Sequence, residues 1–117
     1  MPSSFKDLRV WQDAMKLAFE IYHQTSKFPK HEMYGLAQQM RRAAVSIPSN
    51  IAEGKGHHSN REFVRFLLHA RGSLLELETQ ALIAQELQYL PGESARHVQN
   101  LTSGVGRALA GLINSLG

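Results

Sequence analysis

The sequence has 117 residues, of which 43% are apolar, so it is long enough for one domain with its own core. It contains no cysteine, which excludes disulfide frameworks and thiolate sites. Its net charge of +3 is uneven: residues 1–71 hold eleven Lys and Arg against six Asp and Glu, whereas residues 72–117 hold two against four. The basic first part indicates a surface that faces phosphates or acidic partners, although ordinary solubilising charge explains the same total.

Export and membrane insertion have no support in the sequence. No apolar run follows a basic start at the N-terminus, so the pattern of a secretory signal is missing. No stretch approaches the roughly 18 apolar residues that a membrane span needs. We therefore expect a cytoplasmic protein with a single domain over residues 1–117.

The first predicted helix runs from about Phe5 to Ser26, with Ser4 as its N-cap and Asp7 in its first turn. Pro29 lies just beyond its end, where proline disfavours helical geometry in the preceding residue. The apolar residues expected on its inner face recur at spacings of three and four: Leu8, Trp11, Met15, Ala18 and Tyr22.

The second predicted helix runs from about His31 to Glu53 and contains Pro48. Proline usually breaks a helix, but here the apolar phase continues on both sides of it, which predicts a continuous helix with a kink. Gly54 and Gly56 are expected to stop this helix. The inner face is expected to consist of Leu36, Met40, Ala43, Ala44, Ile47 and Ile51.

The third predicted helix spans about 29 residues and opens at Ser59 with a capping box, in which Glu62 reaches back to the cap. Gly72 lies in its middle, and close packing there is expected to offset the cost of a helical glycine. Its inner face alternates spacings of four and three without a break: Phe63, Leu67, Ala70, Leu74, Leu77, Ala81 and Ala84.

A turn at residues 90–92 precedes the fourth predicted helix, from about Glu93 to Leu116. Its inward residues are expected to be Val98, Leu101, Val105, Leu109, Leu112 and Leu116. Four long amphipathic helices with short connections bury their apolar faces together, so the sequence predicts an all-α, antiparallel, up-and-down four-helix bundle.

Metal and catalytic sites are not favoured. A di-iron bundle needs two Glu-x-x-His pairs, and the sequence has one, Glu20 with His23, on the outer side of the first helix. His57 and His58 are adjacent in a glycine-flanked loop, where histidines are usually solvated rather than metal-bound. Serine motifs of hydrolases and phosphate loops are missing. We expect no enzymatic activity, no cofactor and no metal.

Two helical faces suggest contacts beyond a solvated surface. On the second helix, polar residues follow the apolar face and predict hydrogen bonding to the third helix or to a neighbouring subunit, unless the face is simply solvated; they are Gln39, Arg42, Ser46, Ser49, Asn50 and Glu53. On the fourth helix, Arg107 is the one charge between Val98 and Leu116. Self-association would cover such an uncharged face. The expected oligomer interface is Gln39, Ser46, Ser49, Asn50, Gly104, Ala108 and Gly111.

Basic residues concentrate from the second helix to the start of the third. Such side chains contact phosphates without reading a sequence. The alternative is that Arg41 or Arg42 forms internal pairs with Glu53, Glu62 or Glu76. The expected nucleic-acid-binding residues are Arg41, Arg42, Lys55, Arg61 and Arg65.

The run from Gln39 to Gly54 reads QMRRAAVSIPSNIAEG and resembles the signature of the four-helix bundle proteins of 23S rRNA intervening sequences. That family also includes the accessory variability determinant of diversity-generating retroelements. The resemblance extends to Phe5 with residues 8–12, to Phe28-Pro29 before residues 34–36, and to residues 70–73 and 76–78.

The resemblance implies antiparallel helices that assemble as a ring of five, with no enzymatic activity. For the retroelement branch it implies binding of nucleic acid and of a reverse transcriptase through a basic surface. Two hypotheses follow for this chain: a nucleic-acid-associated scaffold, or a purely structural homo-oligomeric module whose partner is protein. Whether nucleic acid binds in a salt-dependent manner separates them.

Overall fold

The computed structural model describes residues 4–117, which form four α-helices: α1 (Arg9–Thr25), α2 (Leu36–Lys55), α3 (Asn60–Glu86) and α4 (Gly92–Leu116). Two 3-10 turns, Phe5–Asp7 and Lys30–Glu32, precede α1 and α2. Each helix packs on the next in sequence, and α1 also packs on α4. This is the up-and-down four-helix bundle predicted from the sequence, and helices account for more than two-thirds of the chain.

The N-terminal helix begins four residues later than predicted. Ser4 and Asp7 form a capping box, but it closes only the 3-10 turn Phe5–Asp7. Leu8 then takes an extended conformation, with φ −73° and ψ 124°, so α1 starts at Arg9. A side-chain bond from Gln12 Nε2 to the carbonyl oxygen of Lys6, at 2.9 Å, holds the turn against the helix.

The buried face of α1 also differs from the prediction. Val10, Ala14, Leu17 and Ile21 are buried, whereas Tyr22 is 47% exposed. The helix carries two apolar ridges at the same spacing, and Ala18 belongs to both. The first ridge is formed by the four buried residues, and the second is the predicted face with Trp11, Met15 and Tyr22. Periodicity alone does not distinguish them, because each satisfies the pattern of one helical face. The second ridge, with Trp11 and Met15, is only half-buried.

Helix α2 continues through Pro48, as predicted, and buries Met40, Ala43, Ala44, Ile47 and Ile51. The kink at Pro48 stays a prediction. Gly54, however, does not stop the helix, because it lies inside α2 and is buried. A Cβ at this position would lie 2.7 Å from Phe66 Cβ and 3.0 Å from Phe63 Cδ1. Gly54 therefore permits the close approach of α2 and α3.

All seven residues predicted to line the inner face of α3 are buried. Ser59 caps the helix by accepting a bond from the backbone of Glu62 at 3.1 Å. The reciprocal half of the capping box is replaced, because the Glu62 carboxylate binds Arg65 instead. Gly72 meets no atom within 4 Å of a built Cβ, so the close packing expected there is wrong.

The connection between α3 and α4 begins earlier than the predicted turn at residues 90–92. Gln88 has φ 66°, and the N–H of Tyr89 donates to the carbonyl oxygen of Ala84 at 2.9 Å. This left-handed residue and the bond from Tyr89, three residues beyond the helix, are the features of a Schellman ending. Pro91 then caps α4, and Gly92 is its first residue. On α4, Val98, Val105 and Leu109 are buried, while Leu101, Leu112 and Leu116 are half-buried.

A polar contact joins the α1–α2 connection to the α3–α4 connection at one end of the bundle. Glu32 accepts from the backbone N–H of Leu36 at 3.1 Å and from the Tyr89 hydroxyl at 3.1 Å. The bond from Leu36, with the Tyr89 hydroxyl and nearby His31, lowers the pKa of Glu32. The carboxylate thus stabilises both the start of α2 and its contact with the α3–α4 connection.

The lowered pKa of Glu32 predicts an acid-sensitive contribution to stability. A carboxyl group with a depressed pKa in the folded state stabilises the fold above its unfolded pKa, and this is lost as pH falls through the folded value. We expect the melting temperature to fall less on acidification below about pH 5 in Glu32→Gln than in the unmodified protein. Equal pH profiles in thermal melts would contradict this role for Glu32.

Candidate nucleic-acid interface and assembly surfaces

The structure separates the five predicted basic residues into two groups. Arg41 and Arg42 lie in the first half of α2, whereas Lys55 lies in its last turn. Lys55 lies fourteen residues beyond Arg41 and thirteen beyond Arg42, or about 20 Å along a helix. Lys55 lies beside the α2–α3 connection, and Arg61 and Arg65 lie in the first two turns of α3.

Arg41 is committed to a contact inside the bundle. Its Nε donates to Thr25 Oγ1 at 2.8 Å, and its guanidinium carbon lies 4.8 Å from the centre of the Tyr22 ring. Thr25 is fully buried and Arg41 is half-buried. Arg41 therefore ties α2 to the end of α1. Internal engagement was one of the two alternatives, but the partners are a threonine and an aromatic ring instead of a glutamate.

Arg42 is exposed and lines a polar groove between α2 and α3. Ser46 Oγ and Ser73 Oγ lie 2.8 Å apart in this groove, and Asn50 Nδ2 donates to Ser46 Oγ at 3.0 Å and to its carbonyl oxygen at 2.9 Å. Of the polar residues predicted to pair, Ser46 and Asn50 thus bond within the chain. Ser49 donates to the carbonyl oxygen of Val45, and Gln39 is exposed.

Basic side chains gather where α2 meets α3. We call this surface the α2–α3 pole: Lys55, His57, His58, Arg61, Arg65 and His69. All of these residues are exposed except Lys55, which is half-buried with its Nζ 5.9 Å from the centre of the Phe63 ring.

Acidic groups offset part of the charge at the pole. Arg65 binds Glu62 through Nη2 at 2.9 Å and Nε at 3.2 Å. The hydrogen bond and the charge of Arg65, with His57 and Arg61 nearby, lower the pKa of Glu62. No acidic group within residues 4–117 lies in ion-pair distance of Lys55 or Arg61. The pole therefore keeps cationic groups that face solvent.

On α4, the small residues predicted for an oligomer interface are only partly covered within the chain. Gly104 and Ala108 are half-buried and Gly111 is exposed. A Cβ built on Gly104 or Gly111 meets no atom within 4 Å. These small residues do not serve a close approach of helices within the bundle.

Most of the large apolar side chains that are exposed lie elsewhere, on two surfaces that the sequence reasoning missed. The first is a groove between α1 and α2, where Phe19 is 67% and Val45 43% exposed. We call it the α1–α2 groove, and it is lined by Trp11, Met15, Ala18, Phe19, Tyr22, Val45, Pro48, Ser49 and Ala52. The second ridge of α1 is the signal that could have revealed it.

The second apolar surface, which we call the α3 ridge, consists of Leu68, Leu75 and Leu82. They recur every seven residues on the outer side of α3 and are 42%, 57% and 56% exposed. Leu82 lines a cleft shared with α4. The ridge lies on α3, whereas the groove is lined by residues of α1 and α2, so the two surfaces are on different helices. The seven-residue spacing was a signal available in the sequence.

Residues 4–117 contain neither a cluster of three potential metal ligands nor a membrane-spanning helix. Within residues 4–117, no group of three His, Asp or Glu side chains is placed to hold a metal ion. Glu20 instead contacts Gln24 at 2.7 Å and His97 of α4 at 3.6 Å. No helix in this part of the chain is both long and apolar enough to cross a membrane.

Comparisons with known proteins agree with this architecture. Residues 6–111 match the family described as 23S rRNA-intervening sequence protein. No curated protein matches the chain. A crystal structure of a protein of unknown function from the S23 ribosomal protein family of Bacteroides thetaiotaomicron is similar, with a TM-score of 0.83 and 20% identity over 90% of this chain and 95% of that one. At this identity the likeness concerns the fold, whereas the family match spans most of the chain. The chain belongs to the 23S rRNA-intervening sequence protein family.

Proposed function

We propose that this protein is a non-enzymatic scaffold that assembles with copies of itself and binds RNA or DNA without sequence preference at the α2–α3 pole. The observation that carries the proposal is the exposure of two apolar surfaces on a chain whose core is already filled. Five copies is the number that the family resemblance implies.

Self-assembly is supported by the comparable lengths of the two surfaces. The α3 ridge runs fourteen residues, about 21 Å, and the α1–α2 groove between Trp11 and Tyr22 runs about 16 Å. Burying a leucine side chain contributes on the order of 1.5–3 kcal/mol when it is fully exposed beforehand. A ridge that fills the groove of the next copy makes a head-to-tail contact. Such contacts give a ring when the rotation from each copy to the next brings the last copy back to the first.

Nucleic-acid binding is supported by Lys55, Arg61 and Arg65, which lie at one end of the bundle. Each cation that neutralises a phosphate releases a counterion, so the affinity depends on salt. Arg42 lies too far along α2 to share the same contact, and Arg41 is engaged with Thr25. Repetition of a modest surface around an assembly raises the affinity for one polymer.

Charge reversal tests the nucleic-acid part of the proposal. We expect Arg61→Glu with Arg65→Glu to lower the affinity for RNA or DNA at least tenfold at about 50 mM salt, where phosphate contacts are strongest. Arg96→Glu is the matched control, because Arg96 is an exposed arginine near the start of α4. Fluorescence anisotropy with labelled oligonucleotides measures the affinity, and light scattering checks that the mass is unchanged. Absence of binding by the unmodified protein at this salt concentration would contradict the nucleic-acid role.

A purely structural module is the second candidate function. The engagement of Arg41 by Thr25 and of Arg65 by Glu62 favours it, because both arginines stabilise the bundle in these positions. In that case the protein assembles, and oligonucleotides are not retained at any salt concentration.

A further inference from the structure

The α2–α3 pole contains an aromatic stack among its cations. The His57 ring lies on the Phe66 ring, with centroids 4.9 Å apart and planes inclined by 21°. Phe66 is 9% exposed, whereas His57 is exposed. The Arg65 guanidinium carbon lies 4.6 Å from the centre of the same phenylalanine ring. His57 is therefore the outermost ring of a stack that begins in the core.

Backbone contacts hold this stack in position. The N–H of His57 donates to the carbonyl oxygen of Gly54 at 3.1 Å. Gly54 in turn lies against Phe66, since even a Cβ would come within 2.7 Å of the phenylalanine Cβ. The His57 ring itself rests on the Phe66 ring, and a side chain that is already stacked loses less conformational freedom when a second planar group lies on it.

We infer that the exposed face of His57 receives one unpaired base, so that the nucleic acid bound at the pole is single-stranded; this rests on the function proposed above. In a duplex the bases are stacked on one another, whereas an unpaired base is free to lie on an aromatic side chain. Lys55, Arg61 and Arg65 supply cations for the flanking phosphates. The acidic groups of the same region are Glu53 on α2 and Glu62 on α3, and Glu62 is paired with Arg65.

Electrostatics alone predicts that the pole prefers a duplex to a single strand, which makes the inference testable. A duplex carries a higher charge density than a single strand, and binding through phosphates responds more steeply to it. A basic surface without a stacking group therefore favours the duplex. Tighter binding of the single strand needs a contact that the duplex does not offer, and the His57 ring offers one.

The experiment compares a labelled oligoadenylate with a duplex of equal length by fluorescence anisotropy, at about pH 8 and 50 mM salt. We expect the unmodified protein to prefer the single strand. We expect His57→Ala to weaken single-strand binding about tenfold, the effect of one lost stacked base, with the duplex affinity unchanged.

Two further variants separate stacking from other effects. His57→Phe keeps a planar ring and is expected to retain the single-strand preference. His23→Ala removes an exposed histidine in the last turn of α1, away from the pole, and is expected to bind like the unmodified protein. If the single strand and duplex bind equally and His57→Ala changes neither, the inference is wrong while the proposed function stands. If neither oligonucleotide binds, the proposed function itself fails.

Discussion

Replacing Leu75 with glutamate is expected to convert the assembled protein into a single species of 13.1 kDa. Leu75 is 57% exposed at the middle of the α3 ridge, so a glutamate there is solvated in the separate chain. In the proposed ridge-and-groove contact the same carboxylate would be buried against the apolar α1–α2 groove, which is strongly unfavourable for an unpaired charge. The change acts at every contact in a ring. Light scattering on a sizing column measures the mass.

A matched substitution and a mixing experiment sharpen this test. Leu87→Glu also places a glutamate at a half-exposed leucine, but outside the ridge, and is expected to leave the mass unchanged. Phe19→Glu places a charge in the α1–α2 groove and is expected to give a monomer as well. Mixed together, Leu75→Glu and Phe19→Glu retain one intact groove and one intact ridge, so they are expected to form a 1:1 dimer that grows no further. A Leu75→Glu protein with the mass of the unmodified assembly would contradict the ridge-and-groove contact.

Substituting alanine at two helical glycines is expected to change stability in opposite directions. At Gly54 the added Cβ would lie 2.7 Å from Phe66 Cβ, which is attached to the backbone and moves only with α3. Overpacking of this kind costs about 1–3 kcal/mol, more than the roughly 1 kcal/mol gained by removing a glycine from a helix. At Gly106 the Cβ would lie 3.5 Å from Leu74 Cδ2, an ordinary contact, so the helix gain remains.

We therefore expect Gly54→Ala to lower the melting temperature and Gly106→Ala to raise it, with the two variants about 10 °C apart. Thermal melts followed by circular dichroism, at one protein concentration, measure both. A Gly54→Ala protein that melts at or above the temperature of the unmodified chain would contradict the close approach of α2 and α3.

The helices that the sequence predicts best are those with one apolar face. Helix α3 has a single unbroken set of inward positions, and all of them are buried. In α2 the apolar residues keep the same helical phase on both sides of Pro48, which correctly predicted a continuous helix. Helix α1 carries two competing ridges, and only packing against α2 and α4 decides between them. The predicted inner face of α1 therefore included Tyr22, which is exposed.

Glycines and charged side chains resist prediction because their roles depend on neighbours distant in sequence. Phe63 and Phe66 of α3 leave no room for a Cβ at Gly54, whereas a Cβ at Gly72 would meet no atom within 4 Å. Arg41 and Arg42 are adjacent in sequence, yet one reaches the buried Thr25 and the other faces solvent. The location of the basic residues was therefore predictable, but their availability to phosphates was not.

The most direct test of the scaffold is a single light-scattering measurement of the unmodified protein with a labelled single-stranded oligonucleotide, on a sizing column at about 50 mM salt. We expect one peak that contains both the oligonucleotide and a multiple of 13.1 kDa of protein, about 65 kDa for five copies. A protein peak of 13.1 kDa with the oligonucleotide eluting separately would contradict both self-assembly and nucleic-acid binding.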